Sequence, residues 1–487
     1  MARAHIHTIH ALVGICVTAV LLTSTSQAQN LRVSDNHRFL VTDDGKPLFY
    51  LADTAWELFH RADRDEADFY LRNRAAKGFT AVQAVVLSEI NGLTVKNREG
   101  QLPLIDLDPT KPNENYFALI DFVVDKAASY GIYMVLLPTW GSWVEDKPHP
   151  LFENHPIFNP QNAFLYGRWL GKRYSGKWNI IWMLGGDRDP QAHMDVWDAL
   201  ARGLKDGDQG KHLMTYHPYG GTSSSQWLHQ KAWLDFNVIQ VGHDRTSNFD
   251  ADAVTHDYHL NPPKPVLDGE TTYEDHPINF TVANPRFGAY DVRKAAYWAV
   301  FAGAFGHTYG NANIWQMYRR EYAPIVAADE EWIPSLESEG AFEMIHLRHL
   351  MESRPFLSRI PDQSLLIANG VSSDLGDPGL GPGPGGRDSD HIQVTRDGSV
   401  GKNDATYIMA YLPIVRDVRL NTSVIPGTKL VAWWYDPRHG LAFPLGLFNN
   451  KGEFSPGWHD RIRETQPGPD WVLVVDDAAR NYGPPGR

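Results

Sequence analysis

From Leu31 to about Leu350 the chain alternates short, near-continuous apolar runs with longer amphipathic stretches. Eight apolar runs are readable: Pro47–Asp53, Phe79–Val86, Ile132–Pro138, Asn179–Gly185, Leu213–His217, Phe236–Val241, Pro265–Asp268 and Gly306–Tyr309. Runs without in–out alternation are what parallel strands covered on both faces look like. Between them the spacing predicts helices over Asp63–Lys77, Asn115–Tyr130, Ala163–Tyr174 and Val292–Ala304. The first has an acidic opening turn and stops at Gly78; the second puts Phe117, Ile120, Val124 and Ala127 on one face before Gly131. Eight βα units predict an α/β fold of the (β/α)8 TIM-barrel type. A doubly wound open sheet is the alternative, and no Gly-x-Gly-x-x-Gly follows the first strand to favour it.

After about Leu357 the pattern changes to short strands separated by turn residues: Ser364–Ala368, His391–Arg396, Ala405–Leu412, Lys429–Tyr435 and Trp471–Val475. That is the signature of a small antiparallel β-sandwich domain. The Pro/Gly run Asp377–Gly386 reads as a loop inside it. The expected division is a signal peptide over 1–28, a catalytic barrel over 29–357 and a C-terminal β-sandwich over 358–487.

Composition narrows the partners. A length of 487 residues suits a barrel plus one accessory domain. The net charge of −13 argues against nucleic acid, which needs a basic patch. The apolar stretch Ala11–Leu22 behind Arg3, followed by Ser26-Gln27-Ala28, resembles a cleaved signal peptide and predicts a secreted or periplasmic protein with no membrane association after cleavage. The single cysteine, Cys16, lies in this stretch, so neither disulfides nor thiol chemistry is expected of the mature chain. Sixteen tryptophans and 20 tyrosines suit both cores and sugar-stacking walls.

A barrel presents its chemistry at the C-terminal ends of its strands. There the sequence shows Asp53-Thr-Ala-Trp56, Trp140-Gly-Ser-Trp143, Gly185-Gly-Asp187, His217-Pro, Gln240-Val-Gly-His243, Asp268-Gly-Glu270 and His307-Thr-Tyr-Gly-Asn311, with Trp315 beyond. Asp187 follows strand four and Glu270 strand seven, on opposite sides of the mouth. Two carboxyl groups flanking a bond are what glycoside hydrolysis requires. The competing reading makes Asp187 a helix cap and Glu270 a buried ion-pair partner. Asp53, Trp56, Trp140, Trp143, His217, Gln240, His243 and Trp315 are candidate substrate contacts. His217, His243, Asp244 and His307 could gather around a metal, but no metal-ligand spacing supports this, and neither metal nor cofactor is expected. Ser223-Ser-Ser225 lacks a nucleophile elbow. A non-catalytic carbohydrate- or matrix-binding protein and an endo-acting glycanase remain as alternatives.

The segments Leu48–Trp56, Trp182–Asp187, Thr215–Pro218, Ser223–Trp227, Trp233–Asn237 and Asp268–Glu270 resemble glycoside hydrolase family 140, the apiosidase-like barrels. Ala432–Arg438 resembles the small sandwich that accompanies them and carries a collagen-binding label, for which no feature of this sequence speaks. The resemblance implies Asp187 as acid/base and Glu270 as nucleophile of a retaining enzyme. Gly186-Asp187 stands where related barrels have Asn-Glu. It also implies an exo-acting apiosidase that takes apiose from the pectin rhamnogalacturonan II, so the expected partner is a carbohydrate.

Overall fold

The computed structural model describes residues 29–145, 155–243, 249–367, 391–415, 417–456 and 470–487. The signal-like segment, the Asp377–Gly386 run and Asp244 lie outside them. Eight parallel strands follow one another: β1 (Tyr50–Thr54), β2 (Ala81–Val85), β3 (Tyr133–Leu137), β4 (Ile180–Gly185), β5 (Met214–His217), β6 (Asn237–Gln240), β7 (Val266–Glu270) and β8 (Gly306–Tyr309). Their hydrogen-bonded order is 5-4-3-2-1-8-7-6, with a two-residue antiparallel strand, Thr222–Ser223, on the outer side of β6. The seam between β5 and β6 is bridged by Asp235 N donating to Met214 O (2.8 Å) and Thr215 Oγ1 donating to Phe236 O (2.6 Å). The fold is the (β/α)8 barrel of the sequence reading, and each barrel strand is buried throughout.

Local chemistry explains the helices. Asp63 opens Arg64–Ala76 with a reciprocal cap: its carboxylate accepts from Glu66 N and Glu66 accepts from Asp63 N, both at 3.0 Å. Helix Pro160–Tyr174 begins with Pro at its first position behind the Asn159 cap. It packs on Met194–Asp208, a helix the periodicity reading did not single out, through small residues on both sides. A Cβ at Gly203 would lie 2.3 Å from Phe164 O, and one at Gly167 would lie 2.6 Å from Leu200 O. The two backbones therefore touch, and this pair brackets β4.

The C-terminal region is a six-stranded antiparallel sheet. Its main strands are β9 (Gln393–Arg396), β10 (Tyr407–Leu412), β11 (Lys429–Asp436), β12 (Leu441–Asn449) and β13 (Trp471–Asp477). A two-stranded piece, Leu420–Asn421 with Glu453–Phe454, packs Leu420 and Phe454 against one face of this sheet. Alternation splits the sheet's faces. Tyr407, Met409, Tyr411, Tyr435, Val472 and Val474 join the barrel's core, whereas Ile408, Ala410, Trp434, Leu473 and Val475 form a second core. Two expectations are corrected. Ser364–Ala368 is no strand over its described part: Gln363–Leu365 is a 3-10 turn whose Gln363 side chain bonds Val394 N and Ile392 O. Strand β12 went unread because Pro444 and Gly446 interrupt its pattern; it is an edge strand, where such residues are tolerated.

Barrel and sheet meet over helix Ala289–Phe301. Tyr297 stacks on Tyr411 with centroids 4.9 Å apart, and Tyr290 Oη donates to Pro413 O at 2.9 Å. Arg293 is buried in a fork on Asp470 (2.7 and 2.8 Å) and also pairs with Glu343. Burial outweighs Arg293 at Glu343 and pushes that carboxyl up to about 7. Removing one member strands the others uncompensated. Arg293→Ala is expected to cost about 3–5 kcal/mol of stability, seen in calorimetry as a lower midpoint for a transition that still includes the barrel.

Candidate active site

Strand β4 ends in Gly185, Gly186 and Asp187 with φ of 93°, 113° and 55°. Side chains do not fit the first two: a Cβ on Gly185 would lie 2.3 Å from His217 O, and one on Gly186 would lie 2.6 Å from the Trp140 ring. This left-handed run brings the Asp187 carboxylate over the barrel mouth, and Asp tolerates such a backbone better than most residues. Asp187 caps no helix, so the capping alternative is not realised. On the opposite side, β7 shifts register against β6 between Asp268 and Glu270. Such a bulge re-aims the side chain that follows. Gly269 permits it, because a Cβ there would lie 2.4 Å from Val238 Cγ1.

Both devices point at one spot. Oxygens of Asp187 and Glu270 and a His217 nitrogen all lie within 4.8 Å of one another. His217 sits between the acids, with Nε2 2.9 Å from Glu270 Oε2 and Nδ1 3.7 Å from Asp187 Oδ1. His243 Nε2 is 3.6 Å from Glu270 Oε1. Asp187 keeps 35% of its side chain open to the pocket and Glu270 only 6%.

The electrostatics separate the pair. Burial and then the Glu270 charge push Asp187 up to about 6, against His217 and Gln240, which favour its ionised form. Burial also opposes ionisation of Glu270, but hydrogen bonding and charge from His217 and His243 win and hold it down at about 2. Burial disfavours a charged His217, yet the two carboxylates raise it on balance. The arrangement supplies an ionised carboxylate beside a carboxyl that keeps its proton to higher pH than a free aspartate does. That is acid–base and nucleophilic capacity in one pocket. The same three side chains offer two oxygens and a nitrogen that a divalent metal could also accept.

A cavity of about 170 Å³ opens above these groups. Of the expected contacts, Trp56, Trp140, Gln240, His243 and Trp315 line it with the two acids. His217 lies beneath, its ring 5.2 Å from Trp56 and 5.9 Å from Trp140. Two expectations are corrected. Asp53 points into the barrel wall, 3.4 Å from Arg74 Nε, and accepts from Tyr70 Oη at 2.6 Å. Trp143 is fully buried, and its Nε1 donates to Leu87 O (3.0 Å) and Ser88 O (3.2 Å), so it braces the loop after β2. His307 is no metal candidate either: it pairs with buried Asp268 at 2.7 Å, under the site.

Residues not anticipated also line the pocket: Glu89 after β2, Tyr273, His276 and Phe280 after β7, and Ile325 and Val326 after β8. Glu89 was within reach of the same rule that found the others, since Ser88-Glu89 follows the second strand. The aromatic and apolar ones carry no spacing signal; long loops fold them back over the mouth.

The family model for the apiosidase-like catalytic domain matches residues 34–358, and that for the "Putative collagen-binding domain of a collagenase" matches 382–476. A Bacteroides vulgatus ATCC 8482 protein whose crystal structure is described as a glycoside hydrolase family 5 is 34% identical. The match covers 93% of this chain and 94% of that one, with a TM-score of 0.82. A second solved structure, described simply as a glycoside hydrolase, is 32% identical over 94% of this chain and 98% of its own, also at a TM-score of 0.82. Comparison with curated proteins finds no match. Fold and site thus define a barrel glycoside hydrolase. The chain belongs to the apiosidase-like catalytic-domain family, with a collagen-binding-like domain behind the barrel.

The reassignment of Asp53 is testable. Asp53→Ala leaves Arg74 buried without its partner and is expected to cost about 3–5 kcal/mol. Denaturant melts should show that loss, while kcat/KM per folded molecule stays within about twofold of wild type; Trp56→Ala, by contrast, should lower kcat/KM in a protein that folds.

Proposed function

We propose that this protein is a secreted, retaining, exo-acting glycosidase of glycoside hydrolase family 140 that releases apiose from rhamnogalacturonan II in plant pectin. The observation that carries the reading is the approach of the two carboxylates, within 4.8 Å. Retaining pairs stand about 5–5.5 Å apart, whereas inverting pairs need about 6.5–9.5 Å to admit a water. The cavity supports exo action: about 170 Å³ is small beside the ~300–1,000 Å³ of sites for larger ligands, and suits a single terminal sugar. Apiose as that sugar rests on the family match and the resemblance of the strand-end segments. Secretion rests on the leader-like segment at the start of the chain.

In this reading Glu270 attacks the anomeric carbon while Asp187 gives its proton to the leaving oxygen. The glycosidic C–O bond breaks and a glycosyl ester of Glu270 forms. Asp187, now ionised, takes a proton from water, which attacks the anomeric carbon and frees Glu270. His217 holds Glu270 ionised and oriented. Trp56 and Trp140 wall the sugar and keep solvent from the ester.

Treating rhamnogalacturonan II oligosaccharides with the enzyme and following products by NMR should show free apiose, its first-formed anomer matching the substrate's; the opposite anomer would end the retaining mechanism. Asp187→Ala should spare aryl glycosides with good leaving groups and lose about 10²–10⁴-fold on natural linkages, while Glu270→Ala abolishes both. Equal, mild losses would remove the assignment. The kcat/KM profile should fall as pH rises through about 6, where Asp187 loses its proton, with the acid limb far lower because Glu270 stays ionised. Asp187→Asn should erase the alkaline limb from whatever activity survives.

A further inference from the structure

The apiosidase-like site has a third carboxyl group that the mechanism does not use. Glu89 lines the cavity alongside Trp56, Trp140, Asp187 and Glu270 and is 8% exposed. Among the described residues its side chain has neither a hydrogen bond nor an ion pair; only its backbone carbonyl is engaged, by Asn91 N at 2.9 Å. Buried polar groups in folded proteins nearly always have partners, so one that opens only onto a cavity awaits its partner from a ligand.

The loop that presents it is built to hold it there. Trp143 bonds the carbonyls of Leu87 and Ser88, immediately before Glu89. Immediately after it, Ile90 N donates to Glu57 Oε1 at 3.1 Å, and Glu57 is itself held by His60 Nδ1 at 2.7 Å. Gly92 closes the turn, since a Cβ there would lie 2.6 Å from Ser88 O. A carboxyl fixed on both sides and left without a partner is expensive unless substrate completes it.

Its surroundings say what it would accept. Burial, then the charges of Asp187 and Glu57, push Glu89 well above the usual carboxyl range. A carboxyl accepts from a sugar hydroxyl in either protonation state and, when protonated, also donates to one. No lysine or arginine is among the described lining residues. Arg188 does not line the cavity: it lies 3.4 Å from Glu145 and donates to Asp187 O at 2.9 Å, and its charge reaches Glu89 and Asp187 but is outweighed there by burial and the neighbouring carboxylates. A carboxylate brought in by the sugar would meet Glu89, Asp187 and Glu270 with no lysine or arginine among the described residues that line the cavity.

We propose that Glu89 is a specificity-determining residue of this pocket: its carboxyl group hydrogen-bonds a hydroxyl of the bound sugar, and the pocket takes neutral glycones in preference to uronic acids. The inference rests on the glycosidase reading of the site but not on apiose being the sugar.

The test uses the full chain with Glu89→Gln and Glu89→Ala variants. The probes are 4-nitrophenyl glycosides of neutral pentoses and hexoses, the apioside among them, each hexoside paired with its uronide. Monodeoxy forms of the best substrate follow, and tryptophan fluorescence reads binding of the free sugars. Wild type should prefer neutral members over uronides by at least about tenfold in both readouts. Glu89→Ala should lose about 100-fold in kcat/KM, mainly through KM, and Glu89→Gln, which keeps a donor and an acceptor, less than about tenfold. On one monodeoxy substrate the alanine penalty should shrink to about twofold, because the contact is already gone. A merely structural role would give the same loss on every analogue. Should Glu89→Ala not fold, the same comparison is read from wild type and Glu89→Gln.

Alanine losses within twofold on all substrates, equal losses on every deoxy form, uronides handled as well as neutral sugars, or no neutral sugar bound at all would each overturn the proposal. Cleavage of another neutral glycoside but not the apioside would overturn apiose as the substrate and leave Glu89's role standing. Cleavage of the apioside with an indifferent Glu89→Ala would do the reverse.

Discussion

Two carboxyl groups held within 4.8 Å of each other at the top of a closed barrel are the constraint on which the site depends. Like charges that close, and largely out of water, do not both ionise comfortably. The structure resolves the conflict asymmetrically. Glu270 has His217 Nε2 at 2.9 Å on one oxygen and His243 Nε2 at 3.6 Å on the other, while Asp187 faces the cavity with His217 Nδ1 3.7 Å away. One group is thereby held below the usual carboxylate range and the other above it. Neither side chain has to be chemically unusual; the difference comes from which partner the histidines are given.

Holding the pair needs the backbone on both sides of the mouth. Asp187 depends on three consecutive left-handed residues, and Glu270 on a bulge that only glycine permits. Behind these lie tight supports. Gln83 in the barrel interior donates to Thr308 Oγ1 at 2.7 Å and reaches Gly269 O at 3.3 Å, linking the floor of the barrel to the bulge. The glycine-lined helix pair brackets β4 without slack. The C-terminal sheet covers helix Ala289–Phe301, which lies between β7 and β8 in the chain, and shares the barrel's apolar core.

The aromatic residues divide by where their polar edges go. Trp143 spends its N–H on two loop carbonyls and is structural, whereas Trp140 presents its ring to the cavity and leaves its Nε1 without a protein partner. The same contrast holds among the acids. Asp53 and Asp268 are paired with Arg74 and His307 in the barrel wall, while Asp187, Glu270 and Glu89 open on the pocket. Being at the end of a barrel strand is therefore not sufficient for a place in this site: the neighbour each side chain is given decides the rest.

The amino-acid order by itself determined the eight strands, the barrel class and the two catalytic candidates, because buried parallel strands write themselves as unbroken apolar runs and a barrel always collects its chemistry at their C-terminal ends. Glycine before Asp187 and Glu270 was likewise visible, since only that residue permits the approach required there. What the tertiary structure alone decided was partnership: that Asp53 meets Arg74, that Trp143 turns to the β2 loop, that His217 stands between two acids, and that His276 and Phe280 return over the mouth. It also decided the exposed edge strand β12, whose Pro444 and Gly446 break the alternation a strand shows when read alone. Periodicity reports which face of an element is buried; it carries no information about which other element buries it, and it is that pairing, made across hundreds of residues, that sets one carboxyl at the barrel mouth above its usual range and holds its neighbour below it.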